Sequence, residues 1–64
     1  NEMAVKFQQA IVMLPEKQRV VFNHRYYESM EYEEISRITE TKVDTLKVNY
    51  HYAKEMIKEY MINN

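Results

Sequence analysis

The chain has 64 residues, with nine Lys plus Arg against ten Asp plus Glu and a net charge of −1. It has no Cys, no Gly and one Pro, which excludes a disulfide framework, a thiolate metal site and a Gly-rich phosphate loop. A chain of this length buries only ~60% of its unfolded surface, so one domain with one small core is the most it builds. No apolar run approaches the ~20 residues of a membrane span. There is no signal peptide and the chain does not start with Met, so we expect a piece of a longer soluble protein, with residues 1–64 as a single domain.

Four helices are expected. The first spans Glu2–Met13, with Ala4, Phe7, Ile11 and Leu14 on one stripe. Pro15 ends it, because proline disfavours helix at the residue before it. Pro15 also suits the first position of a second helix, with Glu16 favourable at its N-terminal dipole. That helix reaches Tyr27 and offers Val20, Val21, Phe22 and Tyr26 to a core. Glu28–Glu31 is a connector.

The third helix, Tyr32–Thr39, carries Ile35 and Ile38 on one face. A polar turn, Thr39-Glu40-Thr41-Lys42, leads to a fourth helix over Val43–Met61, about five turns long. There Val43, Leu46, Tyr50, Ala53 and Ile57 step by three and four, the spacing of one buried helical face. Two helices joined at a tight corner are the helix-turn-helix unit, whose second helix enters the major groove in DNA-binding versions. The expected fold is therefore all-α, a four-helix domain containing a helix-turn-helix.

Two corner residues are poorly matched to their places. Glu40 stands where a left-handed residue is often needed, at a cost of roughly 1 kcal/mol for a residue other than glycine. Lys42 precedes the fourth helix where Ser, Thr, Asp or Asn would cap better, leaving Thr41 or Asp44 for that work.

The exposed face of the fourth helix holds Asp44, Thr45, Lys47, Val48, His51, Tyr52 and Lys54. Lys47 sits one turn in, opposite Leu46 and Tyr50, and is the leading candidate for a base or phosphate contact; a solvated lysine is the plain alternative. Thr45 lies nearer the helix N-terminus, where backbone N–H groups attract phosphate, or it packs in the first turn. Tyr52 is off the buried stripe and free to stack or to bond phosphate.

His24 with Glu28 and His51 with Glu55 have ligand spacing, but two ligands fall short of the three or four a zinc site needs. Glu33 and Glu34 are adjacent on a helix and diverge, so they form no acid–base pair. No catalytic, cofactor-binding or metal-binding residue is assigned. Met56, Ile57, Tyr60, Met61 and Ile62 either complete the core against the first helix or mark a partner surface.

The segments Leu14-Pro15-Glu16-Lys17-Gln18-Arg19-Val20-Val21-Phe22, Arg25-Tyr26-Tyr27-Glu28 and Met30-Glu31-Tyr32-Glu33-Glu34-Ile35 form a pattern, continued by Thr45-Leu46-Lys47 and His51-Tyr52-Ala53-Lys54. The pattern covers nearly the whole chain and resembles the C-terminal promoter-binding region of extracytoplasmic-function sigma factors. The resemblance implies a non-enzymatic domain of a bacterial, cytoplasmic transcription factor. Such a domain reads the promoter −35 element while docked on the RNA polymerase flap, needs no cofactor, is monomeric and is restrained by an anti-sigma protein.

Carried onto this chain, Lys47, Val48, His51 and Tyr52 would face base edges and Thr45, Asn49 and Lys54 would hold backbone. Tyr32 and Arg37 of the third helix would cross phosphates. The chain departs from the pattern at Glu40, where the family usually has Gly, at Asn49 and Tyr52, where it often has Arg, and at Val48, where a small hydroxyl residue is common. Two absent guanidiniums remove bidentate forks that Asn and Tyr do not replace.

Two rival classes stay open. One is a response-regulator-type helix-turn-helix factor, which dimerises through its last helix. The other is an interaction module with an eroded DNA face, held by an anti-sigma protein. The charge balance bears on the second, since DNA-binding domains usually have a pI above ~9. Residues 1–41 hold five basic and seven acidic side chains and residues 42–64 hold four and three, so the part with the fourth helix is the more basic, by a narrow margin.

Overall fold

All 64 residues are described in a computed structural model. Helix α1 (Glu2–Val12) starts at Asn1, whose side-chain oxygen accepts from the Ala4 N–H at 2.9 Å, an N-cap of the ordinary kind. It ends at Val12, one residue short of expectation. Pro15, at φ −55°, caps α2 (Glu16–Tyr26). Arg19 closes the α1–α2 corner by donating to the Leu14 carbonyl at 3.0 Å.

The connector to α3 (Tyr32–Thr39) turns through Ser29 at φ 53°. Across that turn the Met30 N–H donates to the His24 carbonyl at 3.0 Å. Glu40 is left-handed at φ 53°, as the tight corner demands. Its N–H and that of Thr41 both donate to the Ser36 carbonyl, and the Thr41 bond is the one that marks a Schellman ending. Helix α4 (Val43–Asn63) runs two residues beyond the expected end. No helix is long and apolar enough to cross a membrane.

Helix α4 is the spine, packing against α1, α2 and α3. Nine residues are buried, all of them apolar. They form two clusters. Ala10, Ile11, Leu14, Phe22, Ala53 and Ile57 join α1, α2 and α4, with Phe7, Tyr50, Tyr60 and Met61 partly buried against them. Val21, Ile35 and Leu46 join α2, α3 and α4, with Met30, Tyr32 and Tyr50 against them. Tyr50 touches both clusters. The helix-turn-helix therefore has its own small core, tied to the rest through α4.

Several expected core residues lie elsewhere. Ile38 is 55% exposed. Counting from Ile35, it is turned about 60° to one side of α3, whereas the half-buried Tyr32, Ser36 and Thr39 lie to the other. Ala4 is exposed in the first turn of α1, and Ala10 is buried instead. Val20 and Val43 are half-buried. Tyr26 is 53% exposed, but its ring stacks on Phe22 at 5.1 Å between centroids. Of the C-terminal apolar residues, Ile57, Tyr60 and Met61 complete the core while Met56 and Ile62 remain exposed.

Candidate nucleic-acid interface

The buried stripe of α4 fixes what the rest of the helix presents. With Leu46, Ala53 and Ile57 inward and Tyr50 half-buried, the 3.6-residue repeat sorts the remaining side chains around the helix. Lys47 and Lys54 fall on one flank. Val48 and Glu55 face directly away from the core, with Asp44 and His51 beside them. Tyr52 and Thr45 turn to the other flank, and Asn49 lies closest to the protein there. Val48 and Tyr52 are about half exposed, and Lys47, His51 and Lys54 are exposed. The His51 and Tyr52 rings lie 5.7 Å apart at 59°.

The Lys47 flank is organised by aromatic rings. Lys47 Nζ lies 5.7 Å from the centre of the Tyr32 ring. Lys54 Nζ lies 4.8 Å from that of Tyr50. The Arg25 guanidinium sits 4.6 Å over Tyr32 and 5.9 Å from Tyr50, and the two tyrosine rings meet edge to face at 6.4 Å. All these cations are within the ~6 Å over which a ring's negative face attracts them. Three basic side chains from α2 and α4 thus converge on two tyrosines. This flank is locally cationic in a chain whose net charge is −1.

Arg25 was not among the expected site residues. It also donates to the Met30 carbonyl at 2.7 Å, tying the α2–α3 turn to the start of α3. Its Nε is buried without a hydrogen-bond partner, so ring faces supply much of its surroundings. In sequence Arg25 is only a basic residue in the last turn of a helix, a common dipole placement. Nothing local shows that α3 folds back to bring Tyr32 beneath it.

The other flank is different. Thr45 and Asn49 line a cleft of about 330 Å³ together with Glu16, Lys17, Val20 and Thr41. Thr45 is exposed at its mouth and Asn49 half-buried. Arg37 is exposed in the last turn of α3. At the start of α4, neither Thr41 nor Asp44 caps. Lys42 is the N-cap residue and makes no side-chain cap bond, while the Thr41 hydroxyl donates backward to the Thr39 carbonyl. The expected site residues therefore divide. Lys47, Lys54 and Tyr32 are drawn together on one flank, His51, Val48 and Tyr52 form the outward surface, and Thr45 and Asn49 border a cleft.

The family model described as Sigma-70, region 4 matches residues 4–57, which takes in parts of all four helices and the whole helix-turn-helix. No curated protein and no solved structure matches the chain. Region 4 is the non-enzymatic, DNA-binding part of a sigma factor, and binds the −35 element of promoters. An outward helix surface that mixes basic, aromatic and apolar side chains with the carboxylates of Asp44 and Glu55, held at a left-handed corner behind a shorter helix, is consistent with that role. With the helix-turn-helix geometry and the match over most of its length, the chain belongs to the sigma-70 region 4 family.

Proposed function

We propose that this chain is the −35-reading domain of an alternative sigma factor of the extracytoplasmic-function type, working in the bacterial cytoplasm while docked on the RNA polymerase flap. The observation that carries the reading is the outward surface of α4, where Lys47, Val48, His51 and Tyr52 are all exposed beside a cationic flank. In this reading Lys47, Val48, His51 and Tyr52 meet base edges in the major groove, and Tyr52 and His51 offer ring faces as well as polar atoms. Lys54 and Thr45 hold phosphates from the two flanks. Arg37 approaches the backbone from the last turn of α3. The first-turn N–H groups of α4, which no side chain caps, are free to donate to a phosphate oxygen.

One domain with this charge binds weakly on its own. The isolated chain is expected in the ~10⁻⁴ to 10⁻⁶ M range at physiological salt, where non-specific binders lie. Docking on polymerase raises the effective concentration to the ~mM range, which is enough to make weak contacts decisive. Fluorescence anisotropy against a −35-type duplex at two salt concentrations tests the reading, since phosphate contact gives a negative salt slope.

A second reading rests on the net charge of −1 and on Asn49 and Tyr52 standing where the family often has Arg. In it the domain is chiefly the target of an anti-sigma protein. DNA binding with no salt slope, together with tight binding of such a partner, would favour it. A dimer in solution would instead point to the response-regulator class, because the proposed domain is a monomer.

A further inference from the structure

We infer that Tyr32 is a positioning residue for promoter binding, which acts by seating the Lys47 ammonium rather than by touching DNA itself. The inference deepens the −35 reading above and rests on it.

Tyr32 is the first residue of α3 and is half-buried. Its ring is held from behind by the helix-turn-helix core, where it packs with Val21, Ile35 and Leu46, and by the edge of Tyr50 at 6.4 Å. Arg25 lies over it at 4.6 Å and is itself anchored on the Met30 carbonyl at 2.7 Å. The ring is therefore a fixed surface. Lys47, by contrast, is exposed on a four-carbon stem with many rotamers. Holding such a side chain in one direction costs entropy. The Tyr32 ring at 5.7 Å offsets part of that cost before DNA arrives.

Arg25 and Lys47 also share this one ring. The guanidinium lies closer to the ring than the ammonium does, and like charges repel. Lys47 Nζ, at 5.7 Å, lies near the outer limit of the ring's reach.

A double-mutant cycle tests this, using the 64-residue chain and a labelled −35-type duplex in anisotropy titrations. Tyr32→Leu should weaken binding roughly two- to five-fold, the worth of one exposed cation–ring contact. In a Lys47→Ala background the same change should have no further effect. Tyr32→Phe keeps the ring and should bind like the parent. Thermal melts accompany each variant, and Tyr32→Met carries the same cycle if the leucine variant fails to fold. An equal loss from Tyr32→Leu with and without Lys47 would overturn the inference, as would a Tyr32→Phe variant as weak as the leucine variant. Either result would mean that Tyr32 meets DNA directly, and would leave the −35 reading standing. A parent chain that binds DNA without any salt slope would instead remove that reading and this inference together.

Discussion

Val21 and Phe22 are neighbours in α2, both are buried, and each belongs to a different cluster. Successive residues in a helix point about 100° apart, so Val21 serves the core of the helix-turn-helix and Phe22 the core shared with α1. Phe22 is packed among aromatic rings. Its ring meets Phe7 at 6.1 Å, Tyr26 at 5.1 Å and Tyr50 at 5.8 Å. Phe22→Ala should cost ~3–5 kcal/mol. A domain of this size has a total stability of only ~3–10 kcal/mol, so the variant should be largely unfolded at 37 °C. Far-UV circular dichroism melts would show it, and a melting point within a few degrees of the parent would rule the assignment out.

The adjacent pair Leu46 and Lys47 separates stability from recognition. Leu46→Ala truncates a buried side chain in the smaller cluster and should cost ~2–5 kcal/mol of stability. Lys47→Ala removes an exposed side chain and a ring contact, so its melting point should move little, while a lost base contact should cost ~1–3 kcal/mol of promoter affinity. Melts paired with in vitro transcription read both effects. Early melting of Lys47→Ala with normal melting of Leu46→Ala would mean that α4 faces the other way.

Glu40 and Ser29 both sit at φ 53° without being glycine. Each carries a Cβ that crowds the backbone there, at roughly 1–2 kcal/mol per residue. Glu40→Gly should therefore raise the urea midpoint, with the gain reduced by the greater freedom of glycine in the unfolded chain. Glu40→Ala keeps the Cβ and should give no such gain. Equal stabilisation by Gly and Ala would trace the effect to the Glu40 charge at the end of α3, where a carboxylate meets the negative pole of the helix.

Tyr52→Arg and Asn49→Arg should differ in kind. Tyr52 is half exposed on the outward surface, and an arginine there should steepen the log–log salt dependence of DNA binding by about 0.9 for one added phosphate contact. Asn49 is half-buried in the cleft it shares with Glu16. A guanidinium at 49 should turn to Glu16, giving up to ~1 kcal/mol of stability as a surface pair does, with the salt slope unchanged. Titrations at several salt concentrations, with melts alongside, decide between the two. A steeper slope for Asn49→Arg would put that side chain at the DNA.

Much of the architecture was legible because it rests on periodicity and on proline. Leu46, Ala53 and Ile57 repeat at helical spacing over a long segment, and Pro15 marks the α1–α2 corner without tertiary help. The pairing of Ile35 with Ile38 does not mark the buried face of α3, which has only eight residues, too few for two isoleucines to define one. Residues half-buried by other helices define it instead. Ser29 gave no warning, since serine is common in turns of many kinds and its left-handed backbone is set by the return of Met30 toward His24. The interface was legible as a list of α4 side chains but not as a grouping. Lys47 and Tyr32 are fifteen positions apart in the chain, and Arg25 joins them only after three helices have packed.

Tyr50 packs against both clusters from the middle of α4, which packs against all three other helices. Neither cluster has another residue in common with its neighbour, and neither is large enough to persist alone. The two halves should therefore open together rather than as separate cooperative units. The most slowly exchanging amides of α1 and of α3, although on opposite sides of the molecule's spine, should report one shared opening free energy. A partner that grips α1 would then stiffen the recognition helix without touching it.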